Sequence, residues 1–133
     1  SSVGGTEWKV TSYDDNQYVQ YSANKMEGEC IAWMVTPAIS VAAGDYLGFD
    51  VTVGYYNANC LSVLISEDFD GKDVKTAHWT DVTSDFNIPT KPTSGYGTFA
   101  SASLRLISFF ASLEGGFVFN LSFMILFFNF EKE

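Results

Sequence analysis

Between Tyr55 and Asn59 the chain sets two phenol rings and two amides within five residues, Tyr55-Tyr56-Asn57-Ala58-Asn59. An aromatic face can lie against the apolar side of a sugar ring while amides fix its hydroxyls, and loops carried on a rigid scaffold supply both. Tyr96, in the stretch shaped by prolines and glycines between Pro89 and Gly97, adds a third candidate ring. Each of these residues also has a plainer use: tyrosines cover the rim of a core, and asparagines turn the chain because they tolerate left-handed backbone. A second group is acidic, Ser66-Glu67-Asp68-Phe69-Asp70-Gly71-Lys72-Asp73. Spaced carboxylates such as Asp68 and Asp70 ahead of a glycine suit calcium, a hard cation that takes several oxygens from a flexible loop. The EF-hand pattern fails, because the twelfth position counted from Asp68 is Trp79 and not a bidentate Glu. The competing reading, a solvated turn whose Asp side chains bond their own backbone, is the one the sequence favours.

Catalytic chemistry finds less support. A hydrolase needs a nucleophile with a base, or two convergent carboxylates with separated pKa values. His78 is the only histidine, flanked by Ala77 and Trp79 on the approach to a strand. One His and two separated Cys have no zinc spacing. The expectation is a protein that is not an enzyme and has no cofactor, with calcium at Asp68 and Asp70 as the less favoured alternative.

These side chains must be held by strands. Leu47, Phe49, Val51 and Val53 alternate with Gly48, Asp50 and Thr52, the period of a half-buried strand. With the turn at 57–59 and the apolar run Cys60 to Ser66, they predict a hairpin. Upstream, residues 7–13 and 18–23 predict two short strands joined by Asp14-Asp15-Asn16-Gln17, with Trp8 as a core aromatic. Cys30 to Thr36 predicts another strand, with Ile31, Trp33 and Val35 on one face, ended by Pro37, which has no N–H for a ladder. Downstream, Trp79 to Val82 and Gly97 to Ala102 complete the series.

At 133 residues and 47% apolar content the chain fits one domain, residues 1–133, able to close its own core. Residues 1–6, Ser1-Ser2-Val3-Gly4-Gly5-Thr6, read as a flexible leader. Sixteen acidic against seven basic residues give a net charge of -9, which repels phosphate backbones and argues against nucleic acid. Twelve Phe, seven Tyr and three Trp suit a pleated, half-buried surface. Cys30 and Cys60 could close a loop worth about 3–4 kcal/mol as a disulfide. Both sit in apolar runs where a thiol behaves as a small hydrophobe, so two buried thiols are expected.

Several segments taken in order resemble one known group: Trp33-Met34-Val35-Thr36-Pro37-Ala38-Ile39, Phe49-Asp50-Val51-Thr52-Val53-Gly54-Tyr55-Tyr56, Leu61-Ser62-Val63-Leu64-Ile65-Ser66, Asp68-Phe69-Asp70-Gly71, Trp79-Thr80-Asp81-Val82-Thr83 and Ser94-Gly95-Tyr96-Gly97-Thr98-Phe99. The series is similar to the choice-of-anchor J and cleaved-adhesin domains, and nearest among these to domains of unknown function in Bacteroidetes surface lipoproteins. It covers about residues 8–103. The resemblance implies an all-β fold, an antiparallel jelly-roll β-sandwich of the galactose-binding-domain-like type. It also implies a place on secreted or outer-membrane surface proteins, with adhesion or glycan binding as the role, and it carries no catalytic motif.

Residues 104–133 depart from that group, whose members end in a strand carrying Trp-x-Ile-Asp-Asn-Val. Some related adhesin domains hold calcium partly through the acidic residue of that motif, so its absence here separates this chain from that site. The departure fits either a diverged ending or a shifted reading frame. Leu113-Glu114-Gly115-Gly116 supplies a turn, and Phe117 to Phe123 and Met124 to Phe130 then predict two closing strands. The uncharged stretch is too short and too polar for a membrane helix, which needs about 20 apolar residues, but it is an aggregation hazard unless buried. The sequence therefore predicts a noncatalytic extracellular binding module for a glycan or a host or cell-surface protein. Its ligand residues are Tyr55, Tyr56, Asn57, Asn59 and Tyr96. The alternatives are a structural spacer or protein-interaction domain and, behind it, a glycan hydrolase using loop carboxylates.

Overall fold

The computed structural model describes residues 2–3, 7–22, 30–42, 44–56, 58–91, 95, 97, 99–105 and 118–129. These are mostly strand, with one 3₁₀ turn at Thr83–Asp85, which makes the fold all-β. Strands β2 (Lys9–Tyr13) and β3 (Asn16–Gln20) form a hairpin in which Tyr13 stands opposite Asn16. The turn is shorter than the predicted four residues. Asp14 and Asp15 both take positive φ, 49° and 61°, the two-residue geometry whose twist matches that of the strands, so Asn16 and Gln17 join the ladder.

The main sheet is built around β10 (Val118–Asn129), a single strand of 12 residues where the sequence predicted two. Nothing between Phe123 and Met124 can turn the chain, and the strand runs through. Strands β4 (Cys30–Val35) and β7 (Leu61–Ser66) flank it, β5 (Ile39–Ala42) pairs with its first four residues, and β1 (Ser2–Val3) and the short β8 (Thr80–Asp81) complete the order β1-β4-β10-β7-β8. From Val35 to Ile39 the chain takes four steps while β10 takes three, from Met124 to Leu121. The offset is absorbed around Pro37, and the extra residue reverses the parity of the pleat. As a result Cys30, Ala32, Val41, Val63 and Ile65 all stand opposite odd-numbered positions of β10 and share one face. All five are buried. On β4 this makes Cys30 and Ala32 the core residues, while Ile31, Trp33 and Val35 are only half-buried.

Two groups cover that face. Strand β6 (Tyr46–Val51) pairs with β9 (Ala100–Arg105) in a separate two-stranded sheet. Its inward residues Leu47, Phe49 and Val51 pack on the buried cluster of Val41, Val63, Ile65, Val82 and Phe86. The predicted β6–β7 hairpin is thus overturned. The alternation of β6 is as read, but the chain between Val51 and Leu61 passes from one sheet to the other, and β6 meets β7 by its face instead of its edge. The second group is Trp8 and Tyr21, rings 5.8 Å apart, beside Cys30 and Ala32. Burial and the adjoining Cys30 thiol push the Tyr21 phenol up to about 12. Cys30 and Cys60 form no disulfide; Cys30 is buried and Cys60 only half-buried, because β7 begins one residue after it. No helix among the described residues is long and apolar enough to cross a membrane.

Candidate functional site

The crossing from β6 to β7 carries the candidate ligand residues. Tyr55 has φ 52° and an exposed ring. Left-handed backbone is unfavourable for a bulky residue, and here a bond from its N–H to the Gly95 carbonyl, 2.9 Å, helps hold it. Gly95 itself sits at φ 70°. That bond ties the 52–60 loop to the loop before β9. The next ring points elsewhere: the Tyr56 hydroxyl donates to Asn59 Oδ1 at 2.7 Å. Asn57 and Tyr96, the other two candidates, lie outside the described residues.

Tyr56 and Asn59 line an open cleft of about 260 Å³, together with Val53, Cys60 and Leu61 on one side and Thr83 with Phe86, Asn87, Ile88, Pro89 and Thr90 on the other. The second wall is fixed at both ends of the 3₁₀ turn. At its start, Thr83 Oγ1 accepts from the buried Val63 N–H at 2.8 Å and donates to Asp81 Oδ1 at 2.6 Å, while the Val82 N–H donates to the Val63 carbonyl at 2.9 Å. At its end, Phe86 is buried with its ring 5.1 Å from that of Phe49. Alternation does the rest: with Phe86 inward, Asn87 is exposed. Burial keeps the Cys60 thiol protonated by pushing its pKa up, so no lining side chain is charged. The sequence reading missed this wall. Its local signals were the Asp81-x-Thr83 turn and the Phe86/Ile88 alternation around Asn87.

The acidic loop lies apart from the cleft lining, and its carboxylates serve the loop. Asp68 Oδ1 accepts from the Ser66 hydroxyl and the His78 N–H, both at 2.8 Å, and Oδ2 meets His78 Nδ1 at 2.6 Å. Asp70 Oδ1 accepts from the Lys72 N–H and Asp73 Oδ1 from the Lys75 N–H, each at 2.9 Å. The Phe69 and Trp79 rings, 5.5 Å apart, and a bond from Trp79 Nε1 to the Val74 carbonyl close the base. The His78 ring, its N–H and the Ser66 hydroxyl bring Asp68 down to about 2, and the Asp68 carboxylate in turn raises His78. Ser66 donates to Asp68 and not to the imidazole, and a carboxylate lowered to about 2 is a weak base. Among the described residues no group of three or more His, Cys, Asp or Glu gathers as a metal site.

The family profile of DUF5017, described as a domain of unknown function, matches residues 37–127, about two-thirds of the chain. The chain belongs to this family. The DUF5017 match takes in the whole cleft, the acidic loop and most of β10, including much of the C-terminal stretch that departs from the adhesin pattern. The hairpin β2–β3 and the Trp8–Tyr21 pair precede it. No curated protein and no solved structure matches the chain.

Proposed function

We propose that this DUF5017 chain is a noncatalytic extracellular binding module that takes glycan at the cleft beside Tyr56, carried on a secreted or outer-membrane bacterial protein as an adhesive or capture domain. The observation that carries the reading is the Tyr56–Asn59 hydrogen bond, which fixes an aromatic ring and an amide together in an open cleft with an apolar floor. Such a pairing of one ring with a few convergent polar groups is what sugar recognition needs. The strained backbone at Tyr55 supports it, since residues held in rare conformations concentrate at binding loops. A jelly-roll sandwich is the architecture we infer, supported by the packing of β6 across the face of β5 and β7. The net charge of -9 supports a partner other than nucleic acid, and the likeness to the adhesin group supports the cell-surface setting. Ser66 contacts the weakly basic Asp68 carboxylate and not the His78 imidazole, which supports binding over hydrolysis.

A protein partner is the second reading, favoured by the exposed apolar side chains Val10, Tyr13 and Val19 on the β2–β3 hairpin. Affinity electrophoresis through soluble polysaccharides, with calcium and with a chelator, separates the two. Retardation by one glycan class, lost in Tyr56→Ala and kept in Tyr13→Ala, is the expected result. A chelator-sensitive shift would bring calcium and the Asp68–Asp70 loop into the site. Unchanged mobility in every polysaccharide would overturn the glycan reading and put the hairpin forward.

A further inference from the structure

We infer that the cleft beside Tyr56 seats one neutral sugar ring and so holds a single residue of a glycan, not a run of its chain; this rests on the glycan-binding reading above. Size is the first argument. Pockets for drug-sized ligands begin near about 300 Å³, and this one measures about 260 Å³. One partly sunken ring fills such a space, and any neighbouring ring lies outside it at the open side.

Charge is the second argument. None of the cleft's lining residues is acidic or basic, in a chain where charged residues make up 17%. A uronic or sialic acid carboxylate entering here would lose water and meet no cation in exchange, and burying an unpaired charge is costly. A neutral ring bears no such cost.

The polar supply is the third. Among the described residues the exposed side chains of Asn87 and Thr90 make no hydrogen bond, so neither has an internal bond to break before meeting a hydroxyl. Asn59 Oδ1 is occupied by the Tyr56 hydroxyl, which leaves its amide hydrogens to donate. Between these groups the floor is apolar, with Phe86 buried and Leu61 and Ile88 half-buried. A pyranose has the matching pattern: hydroxyls around its edge and C–H groups on its face.

The test is titration calorimetry of the whole chain with methyl glycosides of neutral hexoses and N-acetylhexosamines, with a methyl uronoside, and with oligosaccharides that end in whichever neutral ring binds. A neutral methyl glycoside should bind with a Kd on the order of millimolar, the affinity a dozen heavy atoms can supply. The uronoside should bind about tenfold more weakly or not at all, and Asn87→Ala, a change at an exposed side chain, should weaken the neutral ring about tenfold. Oligosaccharides ending in that ring should match the glycoside to within about twofold, since only one ring is held. If oligosaccharides bind and no single ring does, or if the uronoside equals the neutral sugar, the inference falls while glycan binding stands. If the methyl glycoside binds and the same ring in an oligosaccharide does not, the inference falls as well. Undiminished binding in both Asn87→Ala and Tyr56→Ala would move the site elsewhere and overturn it too. Silence from every glycoside and every polysaccharide would remove the glycan reading itself.

Discussion

Tyr55 and Tyr56 are neighbours with different work. The Tyr55 backbone sits at φ 52°, a conformation that costs an L-residue about 1–2 kcal/mol and costs glycine almost nothing. Tyr55→Gly should therefore be more stable than Tyr55→Ala, which loses the same ring, by about 0.5–1 kcal/mol after the extra chain entropy of glycine is subtracted, read as a higher urea midpoint. Because Tyr55 is not part of the cleft lining, the same variant should keep polysaccharide retardation, whereas Tyr56→Ala should lose it. The Asp68–His78 pair has a pH signature with a definite sign. His78 is raised above its ordinary 6.5 by Asp68, so its contribution is complete below pH 6.5 and fades as pH climbs through the folded value. Asp68 is lowered from 3.8 to about 2, so its contribution is complete above 3.8 and fades as pH falls towards 2. The clip is thus fullest from about pH 4 to 6.5. Both side chains are largely in water, and solvent screening keeps the effect local. The measurement is the NMR titration of the His78 ring, whose midpoint should lie above 6.5 and drop back in Asp68→Asn.

At the scale of elements, one hydroxyl positions the cleft wall. Thr83 Oγ1 is the acceptor for the Val63 N–H, and Val63 is only 1% exposed. Thr83→Val would leave that buried donor unpaired at a cost of about 1–3 kcal/mol, while Thr83→Ser would keep the bond and most of the stability; urea unfolding of the two variants checks this. The same elements show what the sequence could say. The inward set Leu47, Phe49 and Val51 was legible because the pleat is a local property of two-residue period. The partner of β6 was not, since alternation specifies a face and says nothing of which distant strand supplies the hydrogen bonds. Tyr56 and Asn59 stood among five candidates in the sequence, but their hydrogen bond to each other was not legible there. Nor was Asn87, because its place at the cleft follows from Phe86 seating against Phe49 and from bonds between Thr83 and Val63, 20 residues away. The acidic loop was legible in its plainer reading, as Asp70 and Asp73 accept from N–H groups two residues on.

For the molecule as a whole, the decisive strand lies far along the chain from its partners. Strand β10 pairs with β4, β5 and β7, and those ladders hold the five residues of the buried face in register. Until residues 118–129 exist, β4 and β7 have no common neighbour and the core cluster of Val41, Val63 and Ile65 has no sheet to lie on. Contacts of such sequence separation are entropically costly to close, so no partial sheet should persist without them. A chain ending at Phe117 should show no cooperative unfolding transition by circular dichroism. An extended segment supplied separately can fold together with that chain by backbone pairing, taking the place of β10 between β4 and β7. A synthetic peptide of residues 117–130 supplied in trans should restore a cooperative transition, and the same peptide with Ile125→Pro should not, because proline removes a donor from a strand paired on both sides. Recovery by both peptides would mean that β10 acts as apolar filler and not through its ladder. A cooperative transition in the truncated chain alone would mean that the face closes without it.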